Sequence, residues 1–283
     1  TFPDGTEARA ELAIGGGLGE EVTSALSAVL LRSRRGKPWK AEKAEGWIEH
    51  DGRPIGIFAT RAEPRRLILV RDTSANRGIA YYGSQLDRMR FDIPWRGVMD
   101  DTYLSLVSPV PLEQHAGTFE VDDVPMTLTR REQLRRLLTE QFVVHPGDDA
   151  DDARDRQKLW AALALAGKRA VSSRGSRAVL LMVDEGLDPG PGGQGQPSLR
   201  GALDFLASLR VPVFIWAPND DALQQLALAD DERAYSGLRG LAKVMEVVDR
   251  ELDSQTVVLI EGDYLPHEVE LADDVPKRVD WVR

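Results

Sequence analysis

The sequence predicts an α/β protein: a doubly wound, mainly parallel sheet with helices on both faces and a small β-rich module beside it. Three observations lead there. The apolar runs Leu67–Val70, Ala178–Val183 and Val211–Trp216 are continuous, as in parallel strands buried on both faces. Segments of helical period separate most of them, the alternation expected of a covered parallel sheet. Ahead of residue 65 the pattern differs, with short alternating runs and turn residues.

The elements follow in order. Residues Ser24–Arg32 partly alternate and read as a strand. Residues 45–49 and 54–60 flank His50-Asp-Gly-Arg53 and read as a hairpin, because Asp-Gly between alternating runs is a strong hairpin signal. Gly15-Gly-Gly-Leu-Gly19 reads as a loop. It is no phosphate loop, since no Lys-Ser/Thr follows it. Leu67–Val70 is the first buried strand, Tyr103–Val107 the second, and Phe119–Val121 offers a short edge strand. Thr129, with Glu132 three residues on, forms a capping box for a helix through Leu134, Leu137, Leu138 and Phe142. A second helix is expected over about 153–171. Then come the strand at 178–183, a helix over 198–209, and a strand at 211–216 whose Pro212 suits only its start. Residues 219–253 read as mainly helical, with closing strands at 256–260 and 267–271. The expected division is a β-rich module over 1–64, with 255–283 offering strands to complete it, and an α/β domain over 65–254.

Composition narrows the function. The chain has 283 residues, no Cys and a formal net charge of −10. Without Cys there is neither a disulfide nor a thiolate metal site. The acidic balance opposes nucleic-acid binding, which needs clustered Lys and Arg. No apolar stretch reaches the ~18 residues that span a bilayer. The chain opens Thr1-Phe-Pro-Asp-Gly, without Met or signal peptide, so a processed form or a piece of a longer protein is expected.

Chemistry concentrates just past the first buried strand. Asp72-x-Ser74-x-Asn76 follows Leu67–Val70, where open α/β sheets bind ligands. Asp and Ser offer hard oxygen ligands for Mg²⁺ or Ca²⁺; the competing reading is an ordinary Asp/Ser/Asn turn. The acidic run Asp148–Asp152 lacks the Gly and terminal Glu of an EF-hand loop and reads as a solvated charge run. His50, His115, His145 and His267 share no metal-ligand spacing. No Gly-x-Ser-x-Gly elbow is present, so no catalytic residue is assigned and a hydrolase ranks third among the readings.

The pieces, taken in order, resemble the von Willebrand factor A family. Pro64-Arg-Arg-Leu-Ile-Leu-Val-Arg-Asp-Thr-Ser resembles its first strand and metal loop, and Asp101-Thr-Tyr-Leu-Ser-Leu-Val its second strand. Ala178-Val-Leu-Leu-Met-Val-Asp-Glu-Gly resembles the central strand, and Leu203-Asp-Phe-Leu-Ala-Ser-Leu-Arg-Val-Pro-Val-Phe-Ile-Trp the next helix–strand unit. Ahead of them, Gly46-Trp-Ile-Glu-His-Asp-Gly-Arg-Pro-Ile-Gly-Ile-Phe resembles the β-rich preamble of the acidobacterial subgroup. The likeness covers roughly residues 24 to 260.

The resemblance implies a Rossmann-like von Willebrand factor A domain in a larger bacterial protein, located outside the cytoplasm. It also implies a metal site formed by Asp72, Ser74, Asn76 and Asp184, but a degenerate one. Asn76 replaces a Ser, and the family's Gly-Gly-Thr position falls near Gln157, beside Lys158. An amide is a poorer ligand for a hard cation, and an ammonium opposes a divalent ion. The expected function is therefore a non-enzymatic, metal-free protein-interaction module without cofactor. Its partner would be another protein or another domain of the same chain. Trp95, Arg96 and Lys158 are the expected partner-binding residues, and Lys158 is expected on the helix's first turn as a stand-in for the cation. The alternative is a metal-dependent adhesion or ligand-binding domain using Mg²⁺ or Ca²⁺.

Overall fold

The computed structural model describes residues 26–33, 39–61, 64–72, 102–107, 113–114, 117–118, 121–125, 152–172, 175–183, 198–226, 228 and 231–282. The protein is mixed α/β. The strands are β1 (Leu26–Ser33), β2 (Ile48–His50), β3 (Arg53–Pro54), β4 (Ile57–Arg61), β5 (Arg65–Arg71), β6 (Thr102–Val107), β7 (Glu113–Gln114) and β8 (Gly117–Thr118). After them come β9 (Val121–Pro125), β10 (Ser176–Met182), β11 (Val213–Ala217), β12 (Ala234–Ser236), β13 (Gln255–Glu261), β14 (Glu270–Leu271) and β15 (Val279–Trp281). The helices are α1 (Ala41–Ala44), α2 (Asp152–Ser172), α3 (Leu199–Ser208), α4 (Asp220–Gln225) and α5 (Gly237–Ser254).

The largest sheet runs β12-β11-β10-β5-β6-β9. Its first five strands are parallel, and β9 pairs antiparallel with β6 at the edge. Counted along the chain this is the order 3-2-1-4-5-6, whose direction reverses between β5 and β10. Alternate residues of each strand point to opposite faces. Ile68, Val70, Val179, Leu181 and Ile215 share one core with Leu159, Trp160 and Leu163 of α2 and Leu206 of α3. On the other face, Arg65 pairs with Asp249 and Asp253 of α5, and Trp216 Nε1 donates to the Gly237 carbonyl. Helices therefore cover both faces, and every residue of β10 and β11 is buried.

Caps agree with local sequence. The Ser198 hydroxyl accepts from the Gly201 amide at 3.0 Å, and Asn219 Oδ1 from Ala222 at 2.9 Å.

The second large sheet is antiparallel, in the order β15-β1-β13-β4, and a three-stranded sheet runs β14-β2-β3. Both draw strands from before residue 62 and after residue 254. The β2–β3 hairpin turns at Asp51 and Gly52, with φ of 50° and 69°. Both values lie in the left-handed region that two-residue hairpin turns require.

Four expectations need correcting. The hairpin over 45–60 ends early: the Ile55 amide still donates to the Ile48 carbonyl, but Gly56 accepts from Glu261, and β4 joins β13 instead. The chain thus changes sheets at Ile55–Gly56. Residues 41–44 form one helical turn within the stretch expected to be β throughout. Residues 219–253 are interrupted by β12, whose three residues, Ala-Tyr-Ser, carry no apolar run to announce a strand. The last expected strand shrinks to β14. The capping-box helix at 129–142 and the acidic run at 148–151 lie outside the described residues.

Candidate ligand face at the carboxyl end of the parallel sheet

Asp72 is the first residue past β5, the strand next to the reversal of strand order. Its backbone is held in the ladder: the Asp72 amide donates to the Met182 carbonyl at 2.7 Å. One step further round, the Val183 amide donates to the Trp216 carbonyl at 3.0 Å. The ends of β5, β10 and β11 are thus tied to one another beyond the strands proper. Asp72 is 2% exposed, and Arg71 before it is also buried. Each has a polar or electrostatic partner in the protein, as a buried charge requires.

Helix α2 approaches this face from one side. Arg177 Nη1 donates to the carbonyls of Ala170 and Val171, so the end of α2 sits at the beginning of β10. The helix therefore runs antiparallel to the strands, and its beginning lies toward their carboxyl ends. Lys158 belongs to that beginning, but on the second turn rather than the expected first, because α2 starts at Asp152. Gln157 is likewise helical and does not lie in a preceding loop. The neighbours Leu159 and Trp160 are buried in the core that α2 shares with the sheet.

Of the expected site residues, then, Asp72 stands at the carboxyl end of β5 and Lys158 on the helix packed beside it. Asp184 follows Val183 directly in sequence; it, Ser74, Asn76, Trp95 and Arg96 lie outside the described residues. Among the described residues, no three or more His, Asp or Glu side chains are grouped so as to hold a metal.

The opposite, amino end of the sheet carries a different polar cluster. Arg177 is fully buried, and its backbone exchanges two hydrogen bonds with the Gln255 side chain, at 2.8 and 3.0 Å. Burial lowers the Arg177 pKa to about 10, so the guanidinium stays charged at neutral pH. Burial also lowers the pKa of Arg233, whose guanidinium lies 5.6 Å from the centre of the Phe214 ring. These groups tie the sheet to β13 and β12 and face away from Asp72. Sequence reading missed them because neither Arg177, just ahead of an apolar run, nor Arg233, in a polar stretch, gives a local sign of its partner.

No protein-family model matches the chain, and no curated protein compared with it matches. Among solved structures it is similar to the pilus adhesin SpaC from Lactobacillus rhamnosus GG. One form of that adhesin aligns with a TM-score of 0.39 and 10% identity, over 68% of this chain and 31% of the adhesin. The open conformation aligns with a TM-score of 0.38 and 9% identity, over 74% and 38%. The chain thus spans about a third of the adhesin's length. No helix among the described residues is long and apolar enough to cross a membrane.

Proposed function

We propose that this chain is a non-enzymatic protein-interaction module of a larger, extracytoplasmic bacterial protein, built on a von Willebrand factor A-like domain. Its ligand face is the carboxyl end of the parallel sheet, and its metal site is degenerate. The observation that supports this reading is Asp72: a buried carboxylate just past β5, at the reversal of strand order, where open α/β sheets bind ligands. The strand order and the helices on both faces agree with the family resemblance in sequence.

Lys158, on the helix beside the face, supplies in this reading the positive charge that a metal would otherwise bring. The module then engages its partner without a divalent ion, with Trp95 and Arg96 as anchors. Isothermal titration of the chain with Mg²⁺, Mn²⁺ and Ca²⁺ tests it. The metal-free reading expects no binding tighter than about 1 mM. Tighter binding that disappears in Asp72→Ala establishes the metal-dependent alternative. Hydrolytic turnover lost on a single Ser→Ala change establishes the enzyme.

A further inference from the structure

A cleft of about 520 Å³ opens between the β2–β3 hairpin and the chain leaving β13. Its size falls in the range of ligand pockets, roughly 300–1,000 Å³. None of its lining comes from the parallel sheet, so it is separate from the Asp72 face. Its lining includes His50, Asp51 and Arg53 of the hairpin, Gly56 after it, and Glu261 and Tyr264.

Glu261 ends β13 with an exposed side chain on a backbone held in the sheet. Its backbone amide donates to the Gly56 carbonyl at 3.0 Å. A Cβ on Gly56 would stand 2.7 Å from Glu261 Oε2, so glycine leaves the carboxylate its room. Among the described residues Glu261 has no ion pair, and neither does Arg53.

His50 is oriented by a backbone carbonyl. Its Nδ1 lies 2.8 Å from the Glu268 carbonyl, which can only accept, so Nδ1 carries the proton. In the neutral ring Nε2 is then an acceptor, 3.6 Å from Asp51 Oδ2. The Tyr264 ring stands 4.9 Å from the His50 ring, tilted by 53°.

The lining selects its ligand. Two carboxylates against one guanidinium disfavour an anion. Three close metal-ligating side chains, which a cation such as Ca²⁺ would need, are not gathered among the described residues. A planar, donor-rich cation fits: a guanidinium forks onto a carboxylate and stacks on an aromatic ring. The protein itself uses the stacking half of that arrangement, with the Arg210 guanidinium 3.4 Å from the centre of the Trp281 ring. The net charge of −10 draws basic partners toward the chain.

We propose that this cleft receives an arginine side chain of a basic partner protein, with its guanidinium between the Glu261 carboxylate and the Tyr264 ring. The proposal rests on the interaction-module reading but adds a second face to it. The test titrates the isotopically labelled 283-residue chain with acetyl-Gly-Arg-Gly-amide and with its citrulline counterpart, which keeps the shape and loses the charge.

The arginine peptide should shift the Gly56 and Tyr264 amide resonances to saturation, and the citrulline peptide should leave them in place. Glu261→Gln should weaken binding about tenfold, the loss of a charge-assisted bond. Arg53→Ala, which removes the competing cation, should tighten it about threefold. No saturable shift, equal response to citrulline, or affinity indifferent to Glu261→Gln would each overturn the proposal. If Glu261→Gln does not fold, Arg53→Ala decides alone: tighter binding supports the proposal, and unchanged or weaker binding ends it. None of these outcomes touches the metal titration at Asp72, so the two readings fail separately.

Discussion

In the parallel sheet, β10 lies between β5 and β11 and pairs in register with the apolar run of each. In the antiparallel sheet, Ser27 of β1 bonds to the Gly262 carbonyl, 235 residues away. One region is closed on both faces by helices that lie next to its strands in sequence. The other is assembled from the two ends of the chain and held by long-range pairs. Packing should therefore dominate the stability of the first, and side-chain latches the attachment of the second.

Those latches can be named. Arg210 follows α3, and its Nη2 donates to the Val269 carbonyl at 2.6 Å while its guanidinium covers Trp281. Arg32 of β1 pairs with Glu251 of α5 at 2.6 Å, and Arg65 in turn fixes α5 to the parallel sheet through Asp249 and Asp253. Helix α5 runs into β13 with no intervening loop, since Gln255 both ends the helix and starts the strand. The second region thus rides on α5 and on a few arginines.

The largest effect is expected in the packed region. Trp160 is 1% exposed at the centre of the core between α2 and the sheet. Trp160→Ala should cost about 4 kcal/mol in denaturant unfolding, from lost burial and the cavity left behind. A loss below about 1 kcal/mol would mean that this core is not close-packed and would remove the contrast between the regions.

Gly175 comes next. It precedes β10 where Pro64 precedes β5, and an added Cβ would collide with the Pro64 carbonyl. Because backbone must move, Gly175→Ala should cost about 3 kcal/mol. An unchanged melting temperature would show that the two strands do not start side by side.

Arg210→Ala probes the other region and should act locally. It removes one hydrogen bond to a charged donor and one cation–π contact, together about 2 kcal/mol. Hydrogen exchange should speed up in β14 and β15 with little change in β10. Arg210 also has φ of 53°, a left-handed conformation costly for a residue with a Cβ. Arg210→Gly should accordingly recover about 1 kcal/mol relative to Arg210→Ala. Equal acceleration in β10 would show that the regions unfold as one.

These two regions were not equally legible in sequence. Continuous runs such as Ala178–Val183 announced the parallel strands, because a strand buried on both faces leaves no polar positions to confuse the pattern. Strand β1 was also visible, but alternation says nothing about which strand, more than 200 residues on, will pair with it. The exit of β4 to another sheet turned on Gly56 and Glu261, a contact that no local pattern encodes. At the candidate site, Asp72 was legible from its place after an apolar run. The cleft around Glu261 was not, since its walls come from residues 50–56 and 261–264 and only the Asp51-Gly52 turn gave any local signal.

The smallest effect returns to the ligand face of the packed region, at Lys158. The beginning of α2 lies toward the carboxyl ends of the strands. The positive end of the helix dipole therefore already favours a carboxylate such as Asp72 there. If the ammonium supplies the remaining compensation, Lys158→Ala should destabilise the chain by about 1 kcal/mol. Adding Asp184→Asn should recover part of that loss, because two residues in one charge network do not act additively. Mg²⁺ should raise the melting temperature of Lys158→Ala and leave the parent unchanged, since a ligand stabilises only the state that binds it. A parent whose melting temperature climbs with Mg²⁺ would assign the face to a metal after all. A double variant no more stable than Lys158→Ala would separate the lysine from the carboxylates.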